Sequence, residues 1–162
     1  MLWTTNIKCL VVEDDKFKLD DILNFLRRES SGRAEIYTCS ASSTAMEQLS
    51  KENFNIAIID MAIPSHPASE GEGSAYPLPK GGLDVLFEIE ALGQRCVSIV
   101  LTQYPEVEID GCLIPVEQAE AEIKEKFDMH IAGCIQYLEE SGKWQDQIKK
   151  ILEKNENTIT GR

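Results

Sequence analysis

Five short apolar runs punctuate the chain, and the segments between them carry apolar residues at helical spacing. IKCLVV (7–12) stops abruptly at Glu13-Asp14-Asp15, as a strand buried on both faces does at its carboxyl end. Leu19, Ile22, Leu23 and Leu26 then fall at i, i+3, i+4 and i+7, which predicts an amphipathic helix ending before Gly32. AEIYTC (34–39) reads as a second strand, and Thr44-x-x-Glu47 as a capping box opening a helix that turns Ala45 and Leu49 inward. FNIAIID (54–60) is the third strand. Leu83, Leu86 and Phe87 mark the next helix, which Gly93 can end in a left-handed conformation. CVSIVLT (96–102) is the fourth strand, followed by a turn-rich connection, YPEVEIDGCLIP, and a helix over about 115–127 with Ala119, Ile123 and Phe127 on one side. IAGCIQYL (131–138) is the fifth strand. Trp144, Ile148, Ile151 and Leu152 stripe a closing helix before a polar tail, 155–162, expected to fray.

Strands alternating with helices predict an α/β fold: a three-layer, doubly wound, five-stranded parallel sheet joined by right-handed crossovers. A chain of 162 residues suits one such domain, placed at 1–154. The formal net charge of −12 excludes sequence-independent nucleic-acid binding, which needs clustered Lys and Arg; here the basic residues lie scattered among acidic ones. No apolar run is long enough to span a bilayer, and MLWTTNIK lacks the basic-then-apolar order of a leader, so a cytoplasmic location is expected. The five cysteines form no CxxC pair and read as reduced thiols, four of them in or beside apolar strand-like runs.

In doubly wound sheets, ligands bind outside the carboxyl ends of the strands, near the point where strand order reverses. Glu13-Asp14-Asp15, Asp60 and Thr102 stand at the carboxyl ends of the first, third and fourth strands. Carboxylates gathered in a partly buried cleft repel one another unless a cation neutralises them. Two or three such oxygens with room for water suit Mg2+ better than Ca2+, which takes more protein oxygens. With that charge balanced, a carboxylate can attack phosphorus, and Thr102 offers a hydroxyl at the same edge. Asp15 fits better as a helix N-terminal acid. His66 and His130 lack metal-ligand spacing, and Trp144 reads as a core anchor.

VVEDD (11–15), IIDMAIP (58–64), the Leu101-Thr102 pair and AGCIQYL (132–138), in that order on successive strands, resemble the receiver domain of bacterial response regulators over residues 7 to about 152. The resemblance implies a flavodoxin-like, CheY-like fold with Asp60 as phosphoacceptor. It implies that Glu13 and Asp14 hold Mg2+ together with Asp60 and the backbone carbonyl of Ala62. Thr102 takes the place of the switch hydroxyl, and Tyr137 that of the aromatic switch. Receivers carry a Lys at the end of the fifth strand; here that place falls on Glu140, or on Gln136 in a shifted register, and neither is a cation. Lys143 is the nearest basic residue but reads as the start of the last helix.

Two segments exceed the family pattern, at about 65–81 and 103–131. Seventeen residues separate Pro64 from Gly82, where receivers have a few. A loop this long suggests a lid or kinase contact involving His66, Glu70, Glu72, Tyr76 and Lys80. The second enlargement remodels the face receivers use for dimers or output, which leaves a homodimer open. The function expected is a stand-alone receiver in a phosphorelay. It takes a phosphoryl group from a histidine kinase or phosphotransfer protein and signals to a downstream protein by contact. It would be a phosphoacceptor rather than a multiple-turnover enzyme. The alternative is a pseudo-receiver that binds partners without phosphorylation, which the absent Lys favours. A hydrolase using Asp60 as nucleophile is disfavoured because no second acid/base residue follows at a useful spacing.

Overall fold

A computed structural model describes residues 2–3, 6–67 and 80–162. Five parallel strands form the main sheet in the order β2-β1-β3-β4-β7: β1 (Lys8–Val12), β2 (Glu35–Cys39), β3 (Ile56–Ile59), β4 (Val97–Thr102) and β7 (Gly133–Gln136). The intervening strands, β5 (Glu106–Ile109) and β6 (Cys112–Pro115), pair antiparallel as a separate hairpin.

Helices cover both faces of the sheet, as the near-continuous apolar character of β1, β3 and β4 requires. On one side α1 (Lys16–Glu29), α5 (Lys143–Lys154) and α6 (Glu156–Thr160) enclose Ile22, Phe25, Leu26, Trp144, Ile148 and Ile159. Trp144 packs edge-on to Phe25, with ring centroids 5.5 Å apart. On the other side α2 (Ser42–Lys51), α3 (Gly81–Ala91) and α4 (Val116–Phe127) enclose Leu49, Val85, Ile89, Ala119 and Ile123. The three-layer α/β sheet expected from the alternation of apolar runs is the observed one.

Several local expectations are corrected. The second helix opens at Ser42 on Ala41, not on a capping box, and the Thr44 hydroxyl donates back to the Ala41 carbonyl at 2.9 Å. The connection read as turn-rich is the β5–β6 hairpin. Asp110 and Gly111 take φ of 51° and 79°, the paired left-handed values of a tight two-residue turn. Val107 and Ile109 are buried from this hairpin into the core on the α4 side. The tail expected to fray instead folds into α6. Its Ile159 is fully buried and its carbonyl accepts from the Asn55 side chain at 2.9 Å, an apolar anchor and a long-range hydrogen bond that tie it to the domain.

Candidate functional site

The strand order reverses between β1 and β3, where chain connections leave in opposite directions and a crevice opens at the carboxyl edge. Val12 and Ile59 are register partners, so the residues that follow them, Glu13 and Asp60, emerge side by side. The Asp60 amide still donates to the Val12 carbonyl at 3.0 Å, which extends the ladder by one step and fixes the start of the loop. Glu13 and Asp60 are buried, whereas Asp14 is exposed. Each of the three offers a carboxylate oxygen within 4.8 Å of the others.

The loop after Asp60 is held down by α3. Gly81 and Gly82 donate to the carbonyls of Ile63 and Met61 at 2.8 and 3.2 Å. A Cβ on Gly82 would lie 2.3 Å from the Asp60 carbonyl oxygen, so only glycine allows the helix to seat against the backbone of the acidic residue. The amide of Ala62 donates to Asp60 Oδ1 at 3.1 Å, leaving Oδ2 to face the crevice.

A lysine of the first helix fills that crevice. Lys18 is 1% exposed; its Nζ lies 2.5 Å from Glu13 Oε2 and 3.2 Å from Asp60 Oδ2, and donates to the Leu101 carbonyl at 2.6 Å. Its backbone is set by the same turn that carries the acids. Asp15 caps α1 by accepting the Lys18 amide at 2.9 Å, while the Asp15 amide donates to Glu13 Oε1 at 2.9 Å. Reading the sequence alone missed Lys18. The signal was its position four residues before Ile22 and seven before Phe25, which places it on the buried face of α1.

Burial dominates the electrostatics of Glu13 and Asp14. Loss of hydration pushes the Glu13 carboxyl up to about 7, with Asp60 adding to the rise and Lys18 opposing it. Asp14 is raised as well, by desolvation and then by the Asp60 charge. Glu13 Oε2 is buried and held by the Lys18 ammonium, while Oε1 accepts the Asp15 amide. Three carboxylates facing one lysine leave negative charge in excess, and an all-oxygen donor set of this kind fits a hard divalent cation such as Mg2+.

Thr102 ends β4, 1% exposed, with its hydroxyl accepting the Tyr104 amide at 3.2 Å. It lines an open cleft of about 220 Å3 together with Met61, Ala62, Lys80, Tyr104 and Leu113, so it shares the crevice edge with the residues just after Asp60. Tyr137 is buried; its amide donates to the Thr102 carbonyl at 2.7 Å and its hydroxyl to Asp21 of α1. The ring centroid lies 6.0 Å from Lys18 Nζ. Neither candidate for the fifth-strand cation position stands in for one. Gln136 ends β7 and bonds the Gln103 carbonyl at 3.4 Å, Glu140 is exposed beyond the strand, and Lys143 is exposed at the first residue of α5.

Of the residues expected to form a lid, Glu70, Glu72 and Tyr76 lie outside the described residues. His66 is exposed beside Ser65 Oγ at 3.1 Å, and Lys80 pairs with Glu108 of the hairpin at 2.7 Å.

No family model matches the chain. Over 145 residues it is 32% identical to the Detocs response regulatory protein DtcB of Vibrio alginolyticus, an alignment that takes in 88% of this chain and 97% of that protein. Among solved structures, a response regulator receiver domain protein (CheY-like) from Methanospirillum hungatei aligns at a TM-score of 0.65 and 17% identity, covering 98% of this chain and 100% of that one. The response regulator TrrA from Thermotoga maritima, in complex with Mg(2+)-BeF, aligns at 0.57 and 18% identity, covering 90% of this chain and 99% of that one. At these identities the structural likeness shows the fold.

Proposed function

The chain belongs to the response regulator family, with a receiver domain at its core, and from that premise we propose that it accepts a phosphoryl group on Asp60 in a phosphorelay. The observation that carries this reading is the position of Asp60. It is buried at the reversal of strand order, one oxygen tied to the Ala62 amide and the other open toward Lys18, with Glu13 and Asp14 within reach of a shared ion.

Glu13, Asp14 and Asp60 would hold Mg2+, joined by the Ala62 carbonyl; when bound, the ion supplies positive charge against the oxygens of the transferring phosphoryl group. A solved neighbour bound to Mg(2+)-BeF supports that choice of ion. The chain's own residues do the rest. The Ala62 amide fixes the rotamer of Asp60, Gly82 lets α3 clamp the loop, and Thr102 presents a hydroxyl from β4 at the same edge. The donor would be a phosphohistidine of a histidine kinase or phosphotransfer protein, in the cytoplasm, and the output a contact with a downstream protein. Among the described residues no helix is long and apolar enough to cross a membrane.

Binding without phosphorylation drew its support from an absent fifth-strand cation. A buried cation stands at Asp60 all the same. Intact-mass measurement after incubation with a small phosphodonor and Mg2+ tests the reading. The native chain should gain the mass of one phosphoryl group and Asp60→Asn none. No gain on the native chain favours the binding-only reading.

A further inference from the structure

We propose that Lys18, delivered by helix α1, is the cation that holds the phosphoryl group on Asp60, the part that receivers give to a Lys at the end of the fifth strand. This rests on Asp60 being the acceptor.

Three contacts define the geometry of the ammonium. The Leu101 carbonyl, at 2.6 Å, anchors it to the end of β4 beside Thr102, and this anchor does not depend on the state of Asp60. Glu13 Oε2, at 2.5 Å, ties it to the end of β1. Asp60 Oδ2 is the longest of the three at 3.2 Å. An ammonium has three donors, and the one directed at Asp60 is the one free to pass to an oxygen of a phosphoryl group built on that carboxylate. Among the described residues, Lys18 is the basic side chain paired with Asp60 and Glu13, and it reaches them from the first turn of α1.

The transfer balances with the donor named by class. An Asp60 carboxylate oxygen forms the new O–P bond as the bond from phosphorus to the leaving atom breaks. That atom is nitrogen in a phosphoramidate or phosphohistidine, and it departs with the electron pair and takes a proton from water. The three equatorial oxygens carry spread negative charge during this step, and a fixed ammonium stabilises it without reorganisation.

The relocation changes which element feels the reaction. A fifth-strand Lys would report to the loop before α5, whereas Lys18 reports to α1. Tyr137 covers Lys18 and bonds Asp21 one turn further along the same helix, so α1 and the end of β7 would respond together.

Phosphoramidate with Mg2+ is the probe, and incorporation on Asp60 is followed by intact mass for the native chain, Lys18→Met and Lys18→Arg. Loss of one charge-assisted contact to the transferring group should slow labelling of Lys18→Met roughly 10- to 100-fold. Mg2+ binding, read by calorimetry, should be retained or tightened, because a competing positive charge has gone, so that slower labelling is not the result of a lost metal site. Lys18→Arg should label faster than Lys18→Met. Labelling of Lys18→Met at the native rate overturns the proposal. Failure of the native chain to label overturns the reading of Asp60 instead. A second measurement needs no variant: in 15N-lysine-labelled native protein, Mg2+ with beryllofluoride, a phosphoryl mimic, should shift a solvent-protected ammonium resonance. Binding of the mimic with that resonance unmoved overturns the proposal even if Lys18→Met does not fold.

Discussion

Nζ of Lys18 stands 2.5 Å from Oε2 of Glu13, and both side chains are 1% exposed. Asp60 completes the cluster from the other strand, so one buried cation faces two buried carboxylates. Taking charges out of water is costly, and a buried pair survives only when its partners are all present. Lys18→Met should therefore lower stability by about 3–5 kcal/mol in the absence of divalent ions, measured by urea unfolding. Millimolar Mg2+ should restore part of that loss, because an ion that binds only the folded chain supplies the missing charge. Equal stability of the native and Met forms without metal would contradict this account of the cluster.

Gly82 sets the position of Asp60 through the backbone. A methyl group there would sit 2.3 Å from the Asp60 carbonyl oxygen and 2.5 Å from Met61 Cα, and neither is the far end of a flexible side chain. Gly82→Ala should force α3 and the loop apart, costing about 1–3 kcal/mol by overpacking. Slower phosphoramidate labelling at unchanged far-ultraviolet dichroism is the expected signature. Native-like labelling and stability would show that the loop yields without moving the carboxylate.

The cysteines should divide by burial. Desolvation pushes the Cys9, Cys96 and Cys134 thiols up to about 12, and it raises Cys39 as well. Only the thiolate reacts, so at pH 8 the reactive fraction of the three is on the order of 10^-4 and grows as pH rises toward 12. Cys112, exposed on β6, should be alkylated first in the native chain. Iodoacetamide at pH 8 should add one label quickly and the remaining four only in denaturant. Rapid multiple labelling of folded protein would contradict the burial pattern.

Ile159 anchors the C-terminal helix. Ile159 is fully buried among the α1 and α5 residues, and Asn55 bonds its carbonyl. Ile159→Ala should cost about 2–5 kcal/mol in urea unfolding, the usual range for emptying a core site. Asn55→Ala should cost less, about 1 kcal/mol, from loss of hydrogen bonds. A tail that contributes nothing would leave both variants at native stability.

The fold was legible because each signal for it is local. Five apolar runs, each ending where the core ends, specify strands; apolar residues at 3.6 spacing specify helices; and a parallel sheet is the arrangement that buries both faces of such strands. The same locality exposed Glu13, Asp14, Asp60 and Thr102, since carboxyl ends of adjacent strands lie at one edge whatever the packing details. The hairpin was also legible, in Asp110-Gly111 between EVEI and CLIP, a two-residue turn signal passed over among other turn residues.

Lys18 and Ile159 were not legible in this way. A lysine in the first turn of a helix reads as a solvated residue, because an isolated ammonium is almost never buried. Its burial depends on Leu101, 83 residues away, and on two carboxylates carried by different strands. Likewise one isoleucine in a polar tail carries no periodicity, and its site exists only where α1, α5 and the residue before β3 converge. Spacing along the chain decides which way a side chain faces. Whether a charge can be taken out of water is decided by the partners the topology brings to meet it, and those belong to the tertiary structure alone.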